Sequence, residues 1–273
     1  MALLSIIIVS FNTRDDLARC LESLHQPSPA LPHEIIVVDN ASADGSVEAA
    51  RRWPDVRVIE NEANLGFARA NNIGIRASRG DLLLLLNSDT EVPAGAVDGL
   101  VQALQQDDRV AVVGPRLVDG EGRAELSFGA MIGPFNELRQ KALVRGHERR
   151  MPGISSLVER LTTRPHYPDW VSGACLLVRR ADAEAVGLLD ERYFMYAEDV
   201  DFCAAIRGRG RRILFTPAIR VVHRRGRSAA AVPDATHAAY RRSQLAFYDK
   251  HHPRWSPILR LYLRLRGLSV SVW

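Results

Sequence analysis

Five consecutive leucines, residues 82–86, run directly into Asn87-Ser88-Asp89. An uninterrupted apolar run of this length, closed by turn-forming polar residues, reads as a strand buried on both faces. Such strands occupy the middle of a sheet covered by helices, and ligands sit at the carboxyl ends of those strands. There the chain delivers one carboxylate, Asp89. A hard oxygen ligand in that place suits Mg²⁺ or Mn²⁺ on a diphosphate. Capping of a helix that starts at Pro93 is the structural alternative for the same side chain.

The flanking sequence repeats the pattern. Residues 3–10 and 34–39 read as buried strands, the second ending in a carboxylate. Between them Leu17, Cys20, Leu21 and Leu24 fall at helical spacing, with Asp15 and Asp16 where the helix dipole favours acids. A short helix over 44–53, a strand over 56–61 and a helix over 66–78 follow. After the leucine strand come a helix over 93–106, with Val97, Leu100, Val101 and Leu104 on one face, and a strand over 110–115. Repeated βα units imply a mainly parallel sheet with right-handed crossovers.

Beyond residue 115 the pattern weakens. A hairpin is expected around Asp119-Gly120-Glu121-Gly122, and the rest of 116–168 reads as a variable, partly mobile segment. A strand over 170–179, short helices over 181–186 and 199–209, strands over 212–216 and 219–223, and helices over 235–251 and 254–268 complete the reading. The division expected is a domain over 1–228 and a basic helical extension over 229–273.

Charge is unevenly spread. Residues 204–273 hold 15 Lys and Arg against 2 acids, whereas the remainder is acidic by 9 charges. A basic tail on an acidic body suits a polyanion or an anionic membrane surface, or is simply a solvated basic helix. It carries no helix-turn-helix or aromatic RNA-binding signature, so nucleic acid is not expected as a partner. Cys20, Cys175 and Cys203 form no CxxC and read as core residues. Residues 1–5 lack a basic leader and no apolar run approaches a membrane span. The expectation is a cytoplasmic protein, with peripheral contact at the inner face of the membrane through 254–273. Packing of that helix on a partner subunit or on the body is equally compatible, and the oligomeric state stays open.

Four polar clusters punctuate the strand ends: Ser10-Phe11-Asn12, the stretch 38–46 beginning Val38-Asp39-Asn40, the stretch 64–74 beginning Asn64-Leu65-Gly66, and Asn87-Ser88-Asp89. With Glu198-Asp199-Val200-Asp201 and His223, their order resembles the family 2 glycosyltransferases of GT-A fold, in particular the rhamnosyltransferase-like subgroup. The resemblance covers residues 4–228. It implies inverting transfer of a sugar from a nucleotide diphosphate donor to a glycan or polyprenyl-linked acceptor, with rhamnose from a thymidine diphosphate donor as the expected sugar. It also implies a divalent cation, Mg²⁺ or Mn²⁺, as cofactor.

By that resemblance Asp39 accepts from a base N–H or a ribose hydroxyl, while an Asx turn is its structural alternative. Ser10, Phe11, Asn12, Asn64, Gly66, Asn71 and Ser88 line the nucleotide, or serve as caps and core. Asp89 matches the last position of the family's Asp-x-Asp metal motif, His223 a further metal ligand, and Arg225 and Arg227 contacts to the diphosphate. Asp199 is implied as the base, with Glu198 beside it. Trp170, Gly173 and Ala174 match the floor of the donor-sugar or acceptor site. The chain departs from the family pattern at Asn87, an amide where the motif has its first carboxylate. That departure leaves open a non-catalytic nucleotide-sugar-binding subunit. A nucleotidyltransferase is disfavoured because the loop after the first strand has no glycine.

Overall fold

Strand β1 (Leu4–Ser10) is leucine, isoleucine or valine at five of its seven positions and is buried along most of its length. It pairs in parallel with β2 (His33–Asp39) on one side and β4 (Leu82–Asn87) on the other, so that Ile6 lies between Ile35 and Leu84. The structure, a computed structural model, describes residues 3–224 and 233–266. Outward from β2 lies β3 (Val56–Glu60). Helices α1 (Arg14–His25), α2 (Ser46–Ala50) and α3 (Phe67–Ala77) make the crossovers. Leu17, Cys20, Leu21 and Leu24 of α1 enter the core as their spacing predicts. All three cysteines are buried and unpaired.

Past β4, a two-residue strand β5 (Thr90–Glu91), helix α4 (Ala96–Gln105) and strand β6 (Val110–Val118) continue the chain. The sheet order is β3-β2-β1-β4-β9-β6-β10-β5. Strand β9 (Cys175–Arg179) is wedged antiparallel between β4 and β6, with Leu84 opposite Leu177 and Val113 also against Leu177. The sheet is therefore mixed and mainly parallel, with helices on both faces.

Three expectations are corrected here. The run 170–179 is two strands, β8 (Trp170–Val171) and β9, because the chain breaks at Ser172-Gly173-Ala174. The expected pair of strands at 212–216 and 219–223 is one strand, β10 (Arg212–His223). Its register against β6 slips between Thr216 and Arg220, where Pro217 has no N–H to offer a ladder. The segment 116–168 holds the expected turn, with Gly122 N–H donating to Asp119 O at 2.9 Å, and β7 (Phe128–Gly129). It also holds two unforeseen helices, α5 (Pro134–Glu148) and α6 (Pro152–Leu161).

Helix α7 (Arg180–Ala185) follows β9, and α8 (Glu198–Gly208) precedes β10. Helix α9 (Pro233–His251) packs across the body and is held there by two acids, Asp201, which is buried, and Glu137, which is partly buried. Glu137 of α5 accepts from Tyr240, Gln244 and Tyr248. Asp201 of α8 accepts from Lys250 Nζ at 2.8 Å and His251 Nε2 at 2.6 Å. Helix α9 also braces the loop before α8, since Ser243 Oγ donates to Met195 O at 2.7 Å. Asp201 also accepts from the buried Tyr193 hydroxyl at 3.3 Å, and Lys250 keeps a second carboxylate in Asp190 at 2.9 Å. Asp201→Ala, which strands that hydroxyl and removes the His251 contact, is therefore expected to cost about 2 kcal/mol in urea unfolding, and to raise protease sensitivity in α9. An unfolding midpoint equal to wild type would remove Asp201 as the anchor. Helix α10 (Ser256–Leu265) ends the described chain.

Candidate active site

The carboxyl ends of β1, β2 and β4 converge on one hydrogen-bonded floor. Asn40 N–H donates to Ser10 O at 2.8 Å, and the Thr13 hydroxyl donates to Ser88 Oγ at 2.9 Å. Asn12 and the 42–43 turn clasp each other: Asn12 N–H reaches Ser42 Oγ at 2.9 Å and Ala43 N–H reaches Asn12 Oδ1 at 2.8 Å. Asn12 and Ala41 take positive φ of 52° and 62° to do so, and such strain gathers at ligand clamps. Asp39 is buried. Its Oδ2 accepts from Ser42 N–H at 2.7 Å, as an Asx turn would, while Oδ1 has no hydrogen-bond partner. A buried carboxylate oxygen without a donor is costly unless a ligand supplies one.

Across the floor stands the start of α3. Asn64 Oδ1 accepts from Gly66 N–H at 3.0 Å. Gly66 has φ of 82°, and a Cβ there would stand 2.3 Å from Phe194 O. Only glycine meets both demands. This contact ties the α3 N-terminus to the loop before α8, reinforced by Phe67 N–H donating to Phe194 O at 2.7 Å. Asn71 donates to Phe67 O and leaves a second buried oxygen, Oδ1, without a partner.

The far corner is built from β4, β10 and the hairpin after β6. His223 Nε2 lies 3.3 Å from Asp89 Oδ1 and 3.4 Å from the Asn87 amide. Its Nδ1 donates to Glu125 Oε2 at 3.1 Å. Burial disfavours a charged ring, but the two carboxylates outweigh it and raise the His223 pKa to about 9. Sequence reasoning missed Glu125. A cleft of about 480 Å³ opens beyond this corner, bounded by Glu125, His147 and Arg224.

The remaining acids sit at the start of α8. Tyr196 and Ala197 take φ of 70° and 67°, turning the chain so that Glu198 and Asp199 open the helix. Asp199 Oδ2 accepts from Gly173 N–H at 2.9 Å and Oδ1 from Val200 N–H at 2.8 Å. Gly173 lies between Phe67 and Asp199, where a Cβ would be 3.2 Å from the Phe67 ring. Burial raises the Asp199 pKa, and the backbone donors oppose that shift. Glu198 is buried, its Oε2 has no hydrogen-bond partner, and burial plus the neighbouring Asp199 charge push its pKa well above the usual range. The pair therefore divides in degree: both carboxyls are shifted toward the protonated form, Glu198 further than Asp199, whose oxygens the backbone donors hold.

That division has a consequence for stability. A carboxyl whose folded pKa lies above its unfolded value near 4.5 favours folding while protonated. Its contribution is complete below that pH and is lost as pH rises through the folded value. The stability of wild type relative to Glu198→Gln should fall as pH rises from about 4 to 8. Parallel thermal melts would test this, and a pH-independent difference would place Glu198 in an ordinary environment.

The other expected residues are placed as follows. Ala174 O accepts from Asn87 N–H at 2.9 Å, so the 172–174 break touches the Asn87–His223 corner directly. Trp170 donates through Nε1 to Ala130 O at 2.9 Å, covers Gly129 and packs toward Tyr193 and Phe247. Phe11 is partly exposed beside Asn12. Arg225 and Arg227 lie outside the described residues.

The profile described as Glycosyl transferase family 2 matches residues 5–160. The chain is 31% identical over 285 residues to an N-acetylglucosaminyl-diphospho-decaprenol L-rhamnosyltransferase of Mycobacterium tuberculosis, covering 96% of this chain and 89% of that protein. It is 26% identical over 208 residues to a low-salt glycan biosynthesis hexosyltransferase of Haloferax volcanii, covering 73% and 60%. A mannosyltransferase structure from Pyrobaculum calidifontis, in complex with GDP-Man and Mn²⁺, aligns with a TM-score of 0.61 at 19% identity, over 96% of this chain and 69% of that one. At that identity the likeness is one of fold, and the fold is the GT-A arrangement.

Proposed function

The chain belongs to glycosyl transferase family 2, and on that premise we propose that it is an inverting L-rhamnosyltransferase. The donor would be a thymidine diphosphate sugar and the acceptor an N-acetylglucosamine carried on a lipid diphosphate. The observation that carries this reading is the near full-length similarity to the mycobacterial rhamnosyltransferase. We take residues 1–228 as the catalytic domain and 229–273 as its extension.

The base and ribose would lie on the floor made by Ser10, Phe11, Asn12, Asp39, Asn64, Gly66, Asn71 and Ser88. Asp39 Oδ1 is suited to the ring N–H of a pyrimidine, because it is an acceptor with no donor of its own. A divalent cation fits Asp89 and His223: a carboxylate oxygen and an imidazole nitrogen face each other at 3.3 Å. Among the described residues no cluster of three or more His, Cys, Asp or Glu completes a protein cage. Diphosphate oxygens and water would fill the other positions, a pattern typical of Mg²⁺. Binding through Nε2 requires His223 to release its proton. When bound, the cation offsets charge that builds on the leaving diphosphate. Arg225 and Arg227 follow His223 closely in sequence and are our candidates for the same charge.

Asp199 is the proposed base. It takes the acceptor hydroxyl proton as that oxygen attacks the anomeric carbon, and the bond to the nucleotide diphosphate breaks from the opposite side. The Gly173 and Val200 amides fix its carboxylate. Glu198, protonated, would donate to an acceptor oxygen. Gly173 and Ala174 form the nearby floor; Trp170 supports it from behind. The acceptor sugar would approach through the cleft bounded by Glu125, His147 and Arg224, within the 116–168 segment, and its lipid would trail toward the C-terminal helices.

The test is a transfer assay with thymidine diphosphate L-rhamnose, uridine diphosphate hexoses and guanosine diphosphate mannose, each with Mg²⁺, Mn²⁺ or chelator. The acceptor is an N-acetylglucosaminyl-diphospho-polyprenol. Rhamnosylated product formed only with a divalent cation supports the reading. Turnover of a uridine donor instead would reassign the sugar. Binding of donor without turnover of any donor would favour a non-catalytic subunit, the reading that Asn87 motivates.

A further inference from the structure

Helix α10 is apolar on two faces. Its inner stripe, Ser256, Leu259 and Leu263, packs on the body, where Leu259 meets the cluster of Tyr193, Phe247 and Tyr248. Its outer stripe is Ile258, Leu261 and Leu265, at 57%, 59% and 78% exposure. Positions three and four apart share a helix face, so these three form one outward ridge. The ridge continues off the helix. Trp255 stands at its start, 6.4 Å from the ring of Phe135, and Phe135 and Leu138 project from the first turns of α5 at 79% and 70% exposure. Two helices far apart in sequence thus present one contiguous apolar surface. A soluble surface rarely leaves such a patch uncovered without a partner.

Cations flank the ridge. Arg260 and Arg264 line one side of α10 and Arg266 the other, where its guanidinium lies 5.7 Å from the Tyr262 ring. Arg254 precedes Trp255, and all four arginines are exposed. An apolar stripe with aromatic residues and arginines on both margins matches the layering of a membrane interface: acyl boundary at the centre, anionic headgroups at the rim. A second copy fits less well. In a two-fold pairing the same face meets itself, which would set arginine margins against arginine margins.

We propose that α10 and the first turns of α5 form a monolayer-inserting face that docks the enzyme on an anionic bilayer. This rests on the lipid-linked acceptor proposed above and deepens it, because it assigns the surface that meets the lipid. Two independent anchors hold that face relative to the site. Asp201 and Glu137 fix α9, and α9 braces the loop leading to Asp199.

The test is co-sedimentation of the full chain with phosphatidylglycerol–phosphatidylcholine vesicles and with phosphatidylcholine vesicles alone. Binding is expected to the anionic vesicles and to weaken as salt rises. The double variant Leu261→Glu/Leu265→Glu, at positions already exposed, should reduce binding at least about tenfold. Its melting temperature and its turnover on a short-chain, water-soluble acceptor should stay at wild-type level, while turnover on vesicle-embedded acceptor falls. Phe135→Glu should show the same split. No binding to anionic vesicles, equal binding by the double variant, or a dimer that the variant dissolves would overturn the proposal. Vesicle binding without rhamnosyl transfer would instead count against the substrate assignment and leave the surface standing.

Discussion

Asp199→Asn should lower kcat by roughly a hundred- to ten-thousandfold, the usual worth of a positioned general base, while donor affinity stays within about twofold. The argument rests on what surrounds the side chain. Gly173 and Val200 amides donate to its two oxygens, so an amide in its place loses the charge and meets a donor with a donor. The proposed nucleotide floor at Asp39 and Ser88 is made by other elements and should be undisturbed. Single-turnover transfer and calorimetric titration of donor nucleotide, run on the same preparation, separate the two quantities. Equal loss of binding and turnover would show that Asp199 holds the loop rather than the proton. Preserved turnover would pass the role to Glu198.

Asp89→Ala should abolish the dependence of nucleotide diphosphate binding on Mn²⁺ or Mg²⁺. Among the described residues one carboxylate, Asp89, faces His223 Nε2, where Asn87 supplies an amide, and Glu125 is held on the opposite ring nitrogen. The expected loss in transfer is larger than for a cation site with two acids. Glu125→Gln tests the same corner from behind. Glu125 accepts the Nδ1 proton of His223, the arrangement that orients a ligating imidazole, and such partners are worth about 10–100-fold in metal affinity. Calorimetry with Mn²⁺ and a fixed nucleotide should therefore rank wild type above Glu125→Gln and Glu125→Gln above Asp89→Ala. An Asp89→Ala protein with unaltered metal dependence would remove Asp89 from the site.

The parts legible beforehand share one property: their cause is local. The leucine run of β4, the β-branched β1 and the spacing of Leu17, Cys20, Leu21 and Leu24 each state their own burial. The polar clusters that end those strands lie at the same edge of the sheet because every parallel strand delivers its carboxyl end there. What stayed hidden depends on partners distant in the chain. Glu125 is an acid after a turn until His223, 98 positions later, is brought to it. Helix α5 has little apolar periodicity because much of what holds it is Glu137 gripping Tyr240, Gln244 and Tyr248. The break at 172–174 is masked by apolar residues on both sides, and its purpose, an amide aimed at Asp199, is visible only with α8 in place. For α10, two apolar faces were written in one helix, and periodicity alone does not say which one the body covers.

The reversed strand β9 also sets a schedule for the molecule as it is made. Strands β4 and β6 are its two neighbours, and both leave the ribosome well before it. Val118 closes β6 and Cys175 opens β9, and a chain growing at about 5–20 residues per second leaves several seconds between them. Throughout that interval the outer edge of β4 is unpaired, and β6 has neither of its neighbours, β9 and β10. Edges of that kind invite pairing with other chains. A nascent fragment that stops near the end of α6 would carry the four paired strands β3-β2-β1-β4 and a β6 with no partner on either side. The enzyme is thus most exposed to misassembly during synthesis, over the stretch of chain that separates β6 from the strand that seals it.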